Sequence, residues 1–147
     1  MSLRLTRKAV DIGIVTRNWD AMLAFYRDLL GLRHESTMDM PGGIVMARLR
    51  AGQSLIKIIV TDPEPVSDAA PGGIKGATGC RYWTLHVSNL DEVLDIVEAA
   101  GHKIRVGRRT IRDGVDIGIV EDPDGNWLEL VETTRRSLLP RLLMGSR

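Results

Sequence analysis

Val10–Gly31 reads VDIGIVTRNWDAMLAFYRDLLG and Tyr82–Gly101 reads YWTLHVSNLDEVLDIVEAAG, and the two stretches share one grammar. Each opens on an alternating run of strand length, breaks at a short polar turn, and continues with apolar residues at helical spacing up to a glycine. In the first, Met22, Phe25, Tyr26, Leu29 and Leu30 recur three and four apart, which predicts one apolar helix face capped at Asn18 or Asp20 and ended by Gly31. In the second, Asn89 or Asp91 is the candidate cap, the helix runs to Ala100, and Gly101 closes it.

Working outward, three strand-length segments follow each unit. They are Leu32–Met38, Gly43–Leu49 and Ser54–Thr61 in the first, and Lys103–Gly107, Val115–Val120 and Trp127–Glu132 in the second. With the leading strands Val10–Thr16 and Tyr82–Val87, the pattern predicts an α+β chain of two tandem βαβββ modules, over 8–62 and 79–133, within one domain of 147 residues. Residues 63–78 carry Pro63, Pro65, Pro71, Gly72, Gly73 and Gly76 with few large apolar side chains, and read as a linker. The basic, leucine-rich tail 134–147, interrupted by Pro140, reads as a short helix laid on the domain or on a second subunit.

Composition removes several classes of function. Twenty Lys and Arg against nineteen Asp and Glu give a net charge of +1, too balanced for a polyanion surface, so nucleic acid is not an expected partner. Cys80 is the only cysteine, which excludes an intrachain disulfide or a thiolate cluster; it reads as a partly buried residue without chemistry. No apolar run reaches the roughly 18 residues of a membrane span, and the basic start Met1–Lys8 lacks a following apolar segment, so a cytoplasmic protein without a membrane partner is expected.

Two segments are more specific. AFYRDLLGL at 24–32 and DPDGNWLEL at 122–130 resemble the helix end and the closing turn of the vicinal oxygen chelate superfamily, which includes glyoxalase I, methylmalonyl-CoA epimerase, extradiol dioxygenases and bleomycin-resistance proteins. Leu90-Asp91 is a weaker echo, and the resemblance covers roughly residues 8–133. It implies a strongly curved eight-stranded mixed sheet around a cavity, helices outside, and often a homodimer. It also implies four cavity-facing positions, two per module, that commonly hold a divalent metal.

In this sequence the four positions fall on Asp11, Lys57, Tyr82 and Glu129. A protonated lysine has no lone pair and repels a dication, so the resemblance implies a scaffold whose usual metal is absent. Lys57 then offers positive charge for a carbonyl or enolate oxygen, Glu129 or Asp11 a proton carrier, and Tyr82 a hydrogen bond. Strand alternation from Tyr82 puts Thr84 and His86 on the same face, and from Glu129 it puts Trp127 there as an apolar wall. His34 and His102 fall at helix-to-strand connections and read as surface residues.

Plainer roles stand beside these. Asp11 can be a strand-edge carboxylate satisfied by backbone groups, Lys57 can extend its ammonium into water, Tyr82 can be a packing residue, and His86 a satisfied rim histidine. Asp122, Asp124, Gly125 and Asn126 read as turn formers. Three functions follow. One is a metal-independent enzyme, an isomerase, epimerase or lyase, moving a proton beside a carbonyl of a small-molecule substrate. The second is a non-catalytic binder of the bleomycin-resistance type. The third is a metal enzyme, a glyoxalase or dioxygenase, using Asp11, His86 and Glu129 to hold Fe, Mn, Ni or Zn.

Overall fold

A computed structural model describes residues 1–134 and resolves them into two compact units that divide between Asp68 and Ala69. The first contains β1 (Ile12–Val15), α1 (Trp19–Leu23), β2 (Arg33–Met40), β3 (Ile44–Ala51) and β4 (Ser54–Thr61). The second contains β5 (Tyr82–His86), α2 (Leu90–Ala99), β6 (Ile104–Arg112), β7 (Val115–Glu121) and β8 (Trp127–Thr133). Each unit holds a four-stranded mixed sheet, in the orders β1-β4-β3-β2 and β5-β8-β7-β6, so the α+β repeat of two βαβββ modules stands.

Within each module the first strand runs parallel to the last, and the other neighbouring strands are antiparallel. A parallel pair needs a crossover, and the helix supplies it. In the first sheet Ile14, Ala47, Leu49, Ile56 and Ile58 make one buried face, and α1 lies against β4. In the second, Leu90, Leu94 and Val97 of α2 are buried, and the helix covers β6, β7 and β8.

The first helix departs from the expected regular helix to Leu30. After Leu23 the chain widens into a π-helical turn, Ala24–Leu29, in which the Leu30 N–H donates to Phe25 O at 2.9 Å, five residues back. Leu32 N–H then reaches Tyr26 O at 3.1 Å, and Gly31, at φ +77°, makes the left-handed exit. The widened turn keeps consecutive Phe25 and Tyr26 both fully buried, with ring centroids 4.9 Å apart in an edge-to-face contact.

The caps fall where expected but work differently. Asn18 and Asn89 occupy the capping positions, but neither caps with its side chain. At α2 the Leu90 N–H donates instead to Glu132 Oε1 at 3.3 Å, so β8 supplies the acceptor. Arg108 locks the same corner with Asp91 at 3.0 Å, Asp116 at 2.8 Å and Glu132 at 2.6 Å. Those carboxylates raise the Arg108 pKa further, Glu132 first and Asp91 next.

Other bounds shift as well. β6 extends to Arg112, past the expected end at Gly107, and its register against β7 slips three times. The stretch read as linker contains a 3-10 turn, Gly73–Lys75, and Cys80 is exposed, not partly buried. His34 lies inside β2, exposed, with a ring nitrogen 2.8 Å from Thr37 Oγ1, while His102 is half-buried. The helix expected in the tail, 134–147, lies outside the described residues from 135 onward. Among the described residues no helix is long and apolar enough to cross a membrane.

Gly118 lets α2 approach β7, because a Cβ there would sit 2.9 Å from Leu94 Cδ2 and 3.3 Å from Leu90 Cδ1. Gly118→Val is therefore expected to destabilise the protein by about 1–3 kcal/mol through overpacking, read as a lower urea midpoint. An unchanged midpoint would show that the helix yields without cost.

Candidate ligand site

In the first module the β1–β4 ladder sets Gly13 opposite Lys57, and the β3–β4 ladder sets Arg48 opposite Lys57 and Arg50 opposite Leu55. Register partners share a face, so Lys57, Arg48 and Arg50 stand together on the face away from Ile56 and Ile58. The register of β2 against β3 shifts between His34 and Ser36, which makes Glu35 the extra residue of a bulge. Its carboxylate accepts from Arg48 Nε at 3.3 Å and from Arg50 Nε at 2.9 Å. Those arginines hold the Glu35 carboxyl below its ordinary pKa, Arg50 contributing most.

Asp11 lies just before β1. Its Oδ1 accepts the Leu55 N–H at 2.8 Å, and Arg7 reaches Oδ1 at 3.2 Å and Oδ2 at 3.1 Å. The Leu55 hydrogen bond is the main cause that lowers its pKa; partial desolvation opposes it, and the charges of Arg7, Lys57 and Arg50 add to it. Asp11 thus acts on the backbone of the neighbouring strand. Lys57 is half-buried and makes no hydrogen bond or ion pair among the described residues.

In the second module the parallel β5–β8 ladder pairs Tyr82 with Trp127, Thr84 with Glu129 and His86 with Val131. The Thr84 hydroxyl donates to Glu129 Oε1 at 2.9 Å. Both residues are half-buried, while Tyr82 and His86 are exposed on the same face. Trp127 shares that face, but its indole is met by Gly73, where a Cβ would lie 2.1 Å from Cε2. Only a glycine fits that approach, and its φ of +56° favours glycine as well. Arg81 holds the turn in place, donating to Gly73 O at 2.7 Å and to Ala70 O at 2.8 Å. At the closing turn, buried Asp122 accepts Asp124 N–H, Asn126 N–H and Asn126 Nδ2, each at 2.9 Å, which is the turn-forming role expected for it.

The family model for the Glyoxalase/Bleomycin resistance protein/Dioxygenase superfamily matches residues 8–130. The chain belongs to this superfamily. Among solved structures, a glyoxalase family protein from Bacillus cereus is similar at TM-score 0.77 and 17% identity, over 89% of this chain and 96% of that one. A glyoxalase family protein from Enterococcus faecalis is similar at TM-score 0.63 and 25% identity, over 84% and 94%. The trypanothione-dependent glyoxalase I of Leishmania major follows at TM-score 0.67 and 17% identity, over 95% of each chain. A comparison with curated proteins finds no match.

As a member of the superfamily, the chain departs from a metal cage at the residue level. Within neither module do three His, Cys, Asp or Glu side chains come together as a metal site. Asp11 already has both oxygens engaged, and the matching position of β4 is a lysine. The donors of these four positions do not fit a divalent ion. Sequence reading missed Arg48, Arg50 and Glu35. Alternation in β3 could have aligned the two arginines with Lys57, but the bulge that turns Glu35 toward them breaks the period on which such reading depends.

Asp11 generates a pH test. Its pKa is depressed on folding, so its contribution is present above the unfolded-state value and is lost as pH falls through the lower folded value. Asp11→Ala is therefore expected to lower the urea midpoint at pH 7, with the gap to wild type closing below about pH 4. A gap that stays constant down to pH 2 would remove the carboxylate from the account of β1 docking.

Proposed function

We propose that this protein is a glyoxalase-like enzyme that moves a proton beside a carbonyl of a small molecule without using a metal, as an isomerase, epimerase or lyase. The observation that carries this reading is the Thr84–Glu129 hydrogen bond of 2.9 Å, which orients a half-buried carboxylate by one oxygen and leaves Oε2 for a substrate. A carboxylate so held can accept a proton from the carbon next to a carbonyl, with the C–H electron pair moving onto the carbonyl oxygen. Tyr82, on the same face, can donate a hydrogen bond to that oxygen as it gains charge. His86, also on this face, can return a proton to carbon, which completes an isomerisation or epimerisation. In an elimination the same electron pair instead expels a leaving group.

A second reading, the non-catalytic binder, has one observation in its favour. Both Asp11 oxygens already accept hydrogen bonds, from Leu55 and Arg7, which favours a structural use of one of the two expected carboxylates.

Proton exchange separates the two. With a panel of α-hydrogen carbonyl compounds and CoA thioesters in D2O, the protein is expected to catalyse exchange at the carbon beside the carbonyl, and Glu129→Gln to slow it by about 10²- to 10⁴-fold. Thr84→Val should cost less, because it loosens the carboxylate without removing it. Absence of exchange across the panel by folded protein, with ligand binding indifferent to Glu129→Gln, supports the binder. The proposal includes a cytoplasmic homodimer. Protein purified without chelator should carry no stoichiometric Fe, Mn, Ni or Zn and should scatter light as twice the chain mass; a stoichiometric metal revives the Asp11, His86 and Glu129 set.

A further inference from the structure

Arg48 and Lys57 are direct partners in the β3–β4 ladder, and like charges directly opposite one another destabilise a sheet. Both are half-buried, where solvent screens the repulsion less than it does at an open surface. The nearby carboxylates relieve it only in part. Glu35 spends its oxygens on the Nε atoms of Arg48 and Arg50, and Asp11 spends its own on Leu55 N–H and Arg7. Five cations, Arg7, Arg33, Arg48, Arg50 and Lys57, therefore stand around this face against two carboxylates. Among the described residues, neither Lys57 Nζ nor the terminal nitrogens of Arg48 have a partner.

The flank of Lys57 toward β1 carries no side chain at the facing position. Lys57 faces Gly13 on its other side, and a Cβ there would meet only Ile59 Cδ1, at 3.5 Å. Arg48 meets Glu35 through Nε, which leaves its terminal N–H groups for an oxyanion, beside the compact charge of the lysine.

We propose that Lys57 and Arg48 form an oxyanion subsite that takes a carboxylate or phosphoryl group of a small molecule. The anion site stands independently of the enzyme reading above. The like-charge pair is retained at a cost to the empty sheet because the ligand's charge relieves it.

Thermal denaturation and calorimetric titration of the full chain with sodium malonate and sodium phosphate, each against sodium chloride at equal ionic strength, test this. At least one of the two anions is expected to raise Tm above the chloride control, and the stronger one distinguishes a carboxylate from a phosphoryl ligand. Lys57→Met is expected to melt above wild type in chloride, since the repulsion is gone, and to weaken anion binding about tenfold or more. Lys57→Gln serves for both readings where the methionine variant folds poorly. Anion stabilisation absent from wild type, or undiminished in the Lys57 variants, overturns the subsite, as does a lower Tm of both variants in chloride. Anion binding without proton exchange in wild type sinks the enzyme reading alone, and exchange without anion binding sinks the subsite alone.

Discussion

The parallel ladder joining the first and last strand of each module is the constraint on which the rest depends. Its backbone hydrogen bonds fix β1 beside β4 and β5 beside β8, and the connection between parallel strands obliges the chain to lay a helix on one side. The helix buries that side, and Lys57 and Glu129, on the other, stay half-buried. Because side chains alternate strictly along a strand, a slip of one residue in either ladder would send Lys57 or Glu129 into the helix-covered core. The apolar residues Ile56, Ile58, Leu128 and Leu130, all buried on the helix side, hold the register against such a slip.

On this common frame the two modules have diverged in charge. The open face of the first is cationic, with Lys57, Arg48 and Arg50 only partly balanced by Glu35. The equivalent face of the second carries a carboxylate, a phenol and an imidazole, with the carboxylate fixed by a threonine hydroxyl. Like frames with unlike faces are what a scaffold produces when register is set by backbone and core while the open positions are free to change.

Much of this was legible in the sequence, for physical reasons that differ from element to element. β4 has the bounds expected, Ser54–Thr61, because its run of large aliphatic residues is bracketed by turns at Gly52 and at Asp62-Pro63. Alternation set Thr84 on the face of Tyr82 and Trp127 on the face of Glu129, whereas the parallel register that brings Thr84 to Glu129 is a long-range pairing without a local signal. What escaped was whatever breaks a period. The π-helical turn at Ala24–Leu29 changes the hydrogen-bond step without changing the apolar pattern. β6 is mostly exposed and slips in register, so it lacks the alternation that would reveal its full length. Gly73 against Trp127 is a contact between distant segments, for which a lone glycine in a glycine-rich stretch gives no signal.

The bulge at Glu35 bears on how such a face can evolve. β2 is an outer strand, and one extra residue there delivers a carboxylate to two arginines of β3 while the β3–β4 pairing continues unbroken from Ile44 to Ala51. Insertions and deletions at the rim can therefore alter the electrical character of the interior strands without mutating them. In a lineage that must meet new ligands, that makes chain length at the sheet edge as heritable a determinant of selectivity as the identity of any residue at its centre.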